Sequence, residues 1–127
     1  MQNIFLEVTL LKPNMLLYGK SAQSRANTTE VAQNTVECLI NCVPHSVPGI
    51  VFLSGGQSDE EATTNLNTIN KVAQTLNAPW ELSFSYGRGL QAAPLKAWLG
   101  KESNIPAAQT SFFDRAKLTS IARQGLL

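Results

Sequence analysis

Apolar positions along this chain fall into short continuous runs separated by longer stretches in which they recur every three or four residues. The run from Ile4 to Leu11 mixes Ile, Phe, Leu, Val and Thr, and predicts a strand that stops at Lys12-Pro13, because proline donates no ladder hydrogen bond. Residues 13–27, PNMLLYGKSAQSRAN, have neither period and predict a long loop, a kind of segment that is often functional. Asn27, three before Glu30, is a candidate N-cap, and Val31, Thr35, Leu39, Ile40 and Val43 then line one helical face as far as Pro44. Gly49 to Leu53 reads as a buried strand between Pro48 and the Gly55-Gly56 turn. Ser58 with Glu61 forms a capping-box pattern, and Ala62, Leu66, Ile69, Ala73 and Leu76 continue a helical stripe behind it. After Pro79-Trp80, the segment Glu81 to Ser85 predicts a third strand. The turn Tyr86-Gly87-Arg88-Gly89 leads into a helix with Pro94 in its early part. A last helix follows Pro106, with Ala108, Phe112, Ala116 and Thr119 on one side.

The order is therefore β-α-β-α-β-α, which implies right-handed crossovers, a parallel sheet, and ligand groups at the carboxyl ends of the strands. Those ends carry Lys12, then Ser54-Gly55-Gly56-Gln57-Ser58, then Ser85-Tyr86-Gly87-Arg88. One amine, one glycine-rich turn with hydroxyls and one arginine between glycines would share a rim. Trp98, Phe112 and Phe113 read as core or helix-packing side chains.

Composition narrows the classes. At 127 residues and 43% hydrophobic, the chain has the length and content of one globular domain. A net charge of +1 with ten scattered Lys and Arg offers no basic stripe for nucleic acid and no cluster for anionic lipid. No apolar run approaches the roughly 20 residues of a membrane span, and Met1-Gln2-Asn3 lacks the charged start of a signal peptide, so a soluble, unexported protein is expected. Cys38 and Cys42, four apart on one predicted helix, suit small apolar packers in a reducing compartment better than a disulfide. His45, the single histidine, reads as a loop residue between Pro44 and Pro48.

The five letters LSGGQ, residues 53–57, match the signature of ABC-type ATPases, but the chain has no G-x-x-x-x-G-K-[ST] loop to surround nucleotide phosphates. The motif reads instead as a strand-to-helix turn. Its paired glycines let backbone N–H groups approach an anion, although a tight turn would need the same residues. Arg88 offers a guanidinium fork for phosphate. Lys12 follows Thr9-Leu10-Leu11, and apolar surroundings would disfavour its ammonium form and make it a nucleophile. From position alone, a strand-end lysine with its amine in water is the plainer reading.

The segments TLLKPNM (9–15), VPGIVFLSGGQSDEEA (47–62), NLNTIN (65–70), LSFSYGRGLQ (82–91) and LKAW (95–98) resemble the class I, Schiff-base fructose-1,6-bisphosphate aldolases, in order and over nearly the whole chain. That family is a (β/α)8 TIM barrel. The resemblance implies that residues 1–127 are one partial domain holding its last three strand–helix units, strands six to eight, plus a C-terminal helix. A whole barrel takes about 250 residues.

The resemblance also implies the chemistry. Lys12 would be the Schiff-base lysine of reversible cleavage of fructose 1,6-bisphosphate to dihydroxyacetone phosphate and glyceraldehyde 3-phosphate, a step of glycolysis and gluconeogenesis. Ser54, Gly55, Gly56, Ser85, Gly87 and Arg88 would surround the ketose C1 phosphate, where barrels of this type place a phosphate site. Glu7 would tune Lys12 or pair structurally. No metal or other cofactor is implied, and the expected location is cytoplasmic or plastid. Val8 replaces a glycine usual in the family, Gly89 an alanine, and Leu16-Leu17-Tyr18 a Thr-Pro turn. The proton-transfer carboxylates and second phosphate site would lie in the units not represented here. The expectation is then a catalytically incomplete chain that self-associates, in a family that is usually homotetrameric, or that meets a partner supplying the missing units. The alternative is a non-catalytic fragment that binds sugar phosphate weakly or packs against full-length subunits.

Overall fold

A computed structural model describes residues 3–127 and contains a three-stranded parallel sheet, order β1-β2-β3, with four α-helices. The strands are β1 (Leu10–Leu11), β2 (Gly49–Phe52) and β3 (Glu81–Phe84). The helices are α1 (Thr28–Cys42), α2 (Asp59–Thr75), α3 (Arg88–Trp98) and α4 (Ile105–Arg123). The register pairs Leu10 with Gly49 and Leu11 with Ile50, and runs from Gly49 opposite Glu81 to Phe52 opposite Phe84.

Paired residues of a parallel sheet point to the same side, and successive residues alternate. Ile50, Phe52 and Leu82 are buried and belong to the core with Val31, Val36, Leu66 and Ile69 from α1 and α2. Each fully buried side chain of this size is worth roughly 1.5–3 kcal/mol. The opposite face is open. Leu10 is 61% exposed, Val51 and Ser83 are half-buried, and one register step beyond Leu11–Ile50 places exposed Lys12 opposite Val51 on this face.

The first strand is shorter than the Ile4–Leu11 run predicts. Residues Leu6–Val8 form a 3-10 turn, with Thr9 N–H returning to the Leu6 carbonyl, and only Leu10–Leu11 pair. The register supplies the reason. A residue before Leu10 would have to pair with Pro48, which has no N–H, and Phe5 and Val8 find no cover at 74% and 83% exposure.

Helix α1 starts as its sequence requires. Asn27 Oδ1 accepts from Glu30 N–H at 3.0 Å while Glu30 Oε2 accepts from Asn27 N–H at 2.8 Å, closing a capping box. At α2 half of the box forms: Ser58 Oγ accepts from Glu61 N–H, but the Glu61 carboxylate is taken by the Tyr18 hydroxyl. Ile40 and Leu76, assigned to the buried stripes, are exposed, and the α1 stripe runs instead through Ala32 and Val36. Cys38 is half-buried but Cys42 is exposed, so it is not a packer; both are free thiols. Burial and the neighbouring Cys42 push the Cys38 thiol above its ordinary range. His45 lies in the turn after α1, edge-on to Trp80, whose indole N–H donates to the Pro44 carbonyl at 3.0 Å.

Helix α4 departs furthest from expectation. Phe112 and Phe113, read as packing residues, are 47% and 64% exposed, as is Trp98 at the end of α3 at 42%, and the face of α4 turned inward carries Arg115, Thr119 and Ala122. Arg115 is 8% exposed. Its guanidinium donates to the Gly89 carbonyl at 3.0 Å, the Asp59 carbonyl at 3.2 Å and Thr63 Oγ1 at 2.9 Å, and Nε stands 3.7 Å from the Asp59 carboxylate. One arginine thus ties the start of α2 to the start of α3. The helix ends in a Schellman turn: Gly125, at φ +70°, donates to Ala122, and Leu126 to Ile121.

Arg115→Met keeps most of the volume but removes three hydrogen bonds, two of them buried, and the cation beside the Asp59 carboxylate. It should lower unfolding free energy by about 3 kcal/mol in urea titration, and a loss under about 1 kcal/mol would show that the guanidinium is not holding the helices.

Candidate functional site

The carboxyl ends of the three strands lie side by side because the ladder continues past them. Leu53 N–H donates to the Pro13 carbonyl at 3.1 Å, and Ser85 N–H to the Phe52 carbonyl at 2.8 Å. These two bonds carry the register into the segments after Lys12, Phe52 and Phe84, and so bring the Lys12, Ser54–Gly56 and Ser85–Arg88 groups to one edge of the sheet.

The turn after β2 is built by its own letters. The Ser54 carbonyl accepts from Gln57 N–H at 3.1 Å and from Gln57 Nε2 at 2.8 Å. Gln57 Nε2 also lies 3.5 Å from the Met15 sulfur, and Gln57 Oε1 accepts from the Asn65 amide at 2.7 Å. Asn65 Oδ1 is buried and has no partner among the described residues. Gly55 and Gly56 sit at φ +61° and +82°, where side chains other than glycine are strained. A Cβ on Gly55 would also collide with the Asn14 amide, whereas Gly56 has open space beside it. Among the described residues, the Gly55 and Gly56 N–H groups donate to no carbonyl or side chain.

The turn after β3 is fixed from below. Tyr86 is buried and its hydroxyl donates to the Ala62 carbonyl of α2 at 3.0 Å. Its ring packs at 5.5 Å from that of Phe84. Burial pushes the phenol well above its ordinary value, against a smaller downward pull from Arg115. Behind it the Gly87 carbonyl accepts from Leu90 and Gln91, opening α3 with the Gly87, Arg88 and Gly89 amides free of protein acceptors among the described residues. Ser54 and Ser85 are half-buried, and Gly87 and Arg88 are exposed. The two turns therefore present free backbone amides, serine hydroxyls and one guanidinium along one rim, a donor set suited to a phosphate.

Glu7 is placed differently from expectation, while Lys12 is the exposed strand-end lysine that its position alone suggests. Lys12 is exposed beside exposed Leu10 and Leu11, so apolar surroundings that would desolvate it are not supplied by this chain. Glu7 belongs to the 3-10 turn rather than to the strand, is exposed, and has no hydrogen-bond or ion-pair partner among the described residues. Arg115 and Gln57 are the residues that reading for chemistry missed. A polar residue at helical spacing with Thr119 and Ala122 was the available signal for Arg115.

A sequence model described as "Fructose-bisphosphate aldolase class-I" matches residues 1–127. The chain is 53% identical over 123 residues to a "Fructose-bisphosphate aldolase, non-muscle type" of Lethenteron camtschaticum, covering 97% of this chain and 33% of that protein. It is 51% identical over 123 residues to "Fructose-bisphosphate aldolase 4, cytosolic" of Arabidopsis thaliana, covering 97% of this chain and 31% of that protein. Among solved structures it superposes on the fructose-bisphosphate aldolase of Plasmodium falciparum, crystallised with TRAP and a small-molecule inhibitor. The TM-score is 0.91 at 46% identity, over 96% of this chain and 34% of the other. The chain spans about a third of the length of the relatives it matches.

Gly55→Ala should cost about 2–4 kcal/mol, from left-handed strain and the Asn14 collision together. Asn14→Ala in the same chain should return part of it, and a urea-denaturation cycle in which the two changes simply add would rule out the contact. Tyr86 predicts a pH dependence. Because its folded value is raised above the ordinary phenol value of 10.0, the stabilisation it brings is complete below that pH and is lost as pH rises above it. Tyr86→Phe should therefore cost about 1 kcal/mol at neutral pH and flatten the fall in stability above pH 10; identical alkaline slopes in the two proteins would refute the assignment.

Proposed function

The chain belongs to the class I fructose-bisphosphate aldolase family, and from that premise we propose that it supplies the Schiff-base lysine and the ketose-phosphate cradle of an aldolase. The reaction is reversible cleavage of fructose 1,6-bisphosphate to dihydroxyacetone phosphate and glyceraldehyde 3-phosphate. The observation that carries this reading is the single rim on which the sheet register aligns Lys12 with two turns of unpartnered amides, serine hydroxyls and Arg88. Family membership selects the chemistry that such a rim performs.

In the proposed mechanism the Lys12 amine adds to the ketone carbon and water leaves, giving an iminium. The C4 hydroxyl loses its proton and the C3–C4 bond breaks, its electron pair passing through C3 to the iminium nitrogen, which releases glyceraldehyde 3-phosphate and leaves an enamine. Protonation at C3 and addition of water to the resulting iminium then free dihydroxyacetone phosphate and the Lys12 amine. Ser54, Ser85, Arg88 and the amides of Gly55, Gly56 and Gly87 hold the C1 phosphate throughout, which fixes the ketone beside Lys12. Proton transfers at the hydroxyl and the enamine carbon fall to groups outside these residues.

The open sheet face supports a coarser architectural proposal. All-parallel sheets have both faces covered, and here one face carries Leu10, Val51, Ser83 and Lys12 with no layer over it among the described residues. We take the chain to be the last three units of a (β/α)8 barrel, whose other strands would enclose this face and desolvate Lys12. Glu7, brought into such an interior, would sit near Lys12 as a charge partner. Association with further aldolase units, in a homo-oligomer or a completed barrel, and a cytosolic setting belong to the same proposal.

The test is borohydride reduction of the polypeptide in the presence of dihydroxyacetone phosphate, followed by peptide mapping. One adduct per chain at Lys12, absent in Lys12→Arg, is expected. Arg88→Ala should raise the half-saturating concentration about tenfold or more, as loss of a charged hydrogen bond predicts. Label spread over Lys20, Lys71 and Lys101 would overturn the assignment.

A further inference from the structure

The loop between β1 and α1 closes a second concavity against the Gly55–Gly56 turn. A cavity of about 350 Å³ is lined by Leu17, Tyr18, Lys20, Arg25, the two glycines, Gln57 and Glu61. Arg88 and Lys12 are not among its walls.

Its charges are arranged rather than scattered. The Arg25 guanidinium lies 5.2 Å over the Tyr18 ring, a cation–π distance, and the Tyr18 hydroxyl donates to Glu61 Oε1 at 3.1 Å. Tyr18 thus fixes one cation on its face and occupies the cavity's carboxylate with its edge. Among the described residues, neither Lys20 nor Arg25 has a carboxylate within ion-pair distance; the two ion pairs found are Arg115–Asp59 and Arg123–Glu81. The lining carries two cations against the one Glu61 carboxylate, whose charge the Tyr18 hydrogen bond does not remove, so a net positive charge remains to attract an anion. The floor is the pair of left-handed glycines, whose N–H groups have no protein acceptor among the described residues and whose Gly56 backbone is open to close approach. Leu17 and the Tyr18 ring add an apolar wall.

We propose that this cavity is a second anion site that takes the phosphate group of a small phosphorylated molecule, held by Lys20, Arg25 and the turn. It shares the Gly55–Gly56 turn with the cradle proposed above but not Arg88, and it does not depend on the aldol reading. The residues that build it, Tyr18, Lys20 and Arg25, sit in the 13–27 loop. Occupancy of one side of a shared turn would bear on the other, so the site would also link the ligand to substrate affinity.

Phenylglyoxal modification of arginine, mapped by peptide mass spectrometry, reads the two sites separately in the intact polypeptide. Inorganic phosphate is the probe, with sodium chloride at matched ionic strength as reference. Phosphate should slow modification of Arg25, and the same phosphate dependence should persist in Arg88→Lys. Lys20→Gln should shift the half-protecting concentration about tenfold upward, and Tyr18→Leu should weaken protection by releasing the Arg25 guanidinium. If Arg25 reacts at the same rate with phosphate as with chloride, the site does not exist. If protection of Arg25 disappears in Arg88→Lys, there is one phosphate site and not two. Protection at Arg88 without protection at Arg25 would uphold the cradle and sink this proposal alone.

Discussion

Parallel sheets are stable almost only with both faces covered, and the one covered and one bare face of this sheet organise everything else about the chain. Both crossovers return on the same side, so α1 and α2 bury Ile50, Phe52 and Leu82 and leave Leu10, Lys12, Val51 and Ser83 on the bare side. The same parallelism sends all three carboxyl ends to one rim. The rim follows from topology before any residue on it has a role. The exposed apolar groups at residues 4–11 are its counterpart, since they adjoin the uncovered face and the unpaired edge of β1.

What holds the rim in shape is polar and lies beneath it. Helix α2 is in contact with α1, α3, α4 and β3, and its first turns receive two hydrogen bonds that set the neighbouring elements: Tyr86 to the Ala62 carbonyl and Arg115 to the Asp59 carbonyl. Arg115 also reaches the Gly89 carbonyl at the start of α3. A buried charge is costly unless its donors are satisfied; here three acceptors and a nearby carboxylate meet the guanidinium. The consequence is directional. Apolar packing between α2 and α4 would tolerate sliding, whereas a planar fork aimed at named carbonyls fixes where the Tyr86–Gly89 turn sits relative to the Gly55–Gly56 turn.

The sequence made much of this legible. Capping at Asn27 and Ser58, the β2 and β3 spans, the parallel order and the three strand ends all rest on local rules, such as proline's missing donor and glycine's access to positive φ, and these hold wherever the chain goes. The misses share one cause, which is that periodicity reports apolarity and not what lies opposite. Ile40, Leu76 and Phe112 have the right spacing and face solvent, while Arg115 has the wrong character and faces the core. The run Ile4–Leu11 has strand composition throughout, yet pairing stops at Leu10, where its neighbour would be Pro48. Position alone did suggest an exposed Lys12, and it stands exposed beside Leu10 and Leu11, which are themselves exposed.

The LSGGQ stretch shows how far a short motif can be read. Its match to a nucleotide-binding signature carried no weight without a phosphate loop, and each letter has a local physical use here. Leu53 continues the ladder to Pro13, the Ser54 carbonyl closes the turn, the two glycines take left-handed conformations, and Gln57 bridges the turn to Met15 and Asn65. Any chain that must leave a buried parallel strand and enter a capped helix while keeping amides free meets the same requirements. In this chain the ligand is decided by what stands around the turn. Arg88 stands in the turn after β3, and Lys20 and Arg25 line the cavity on the Gly55–Gly56 turn, so the two proposed anion sites would share one five-residue segment.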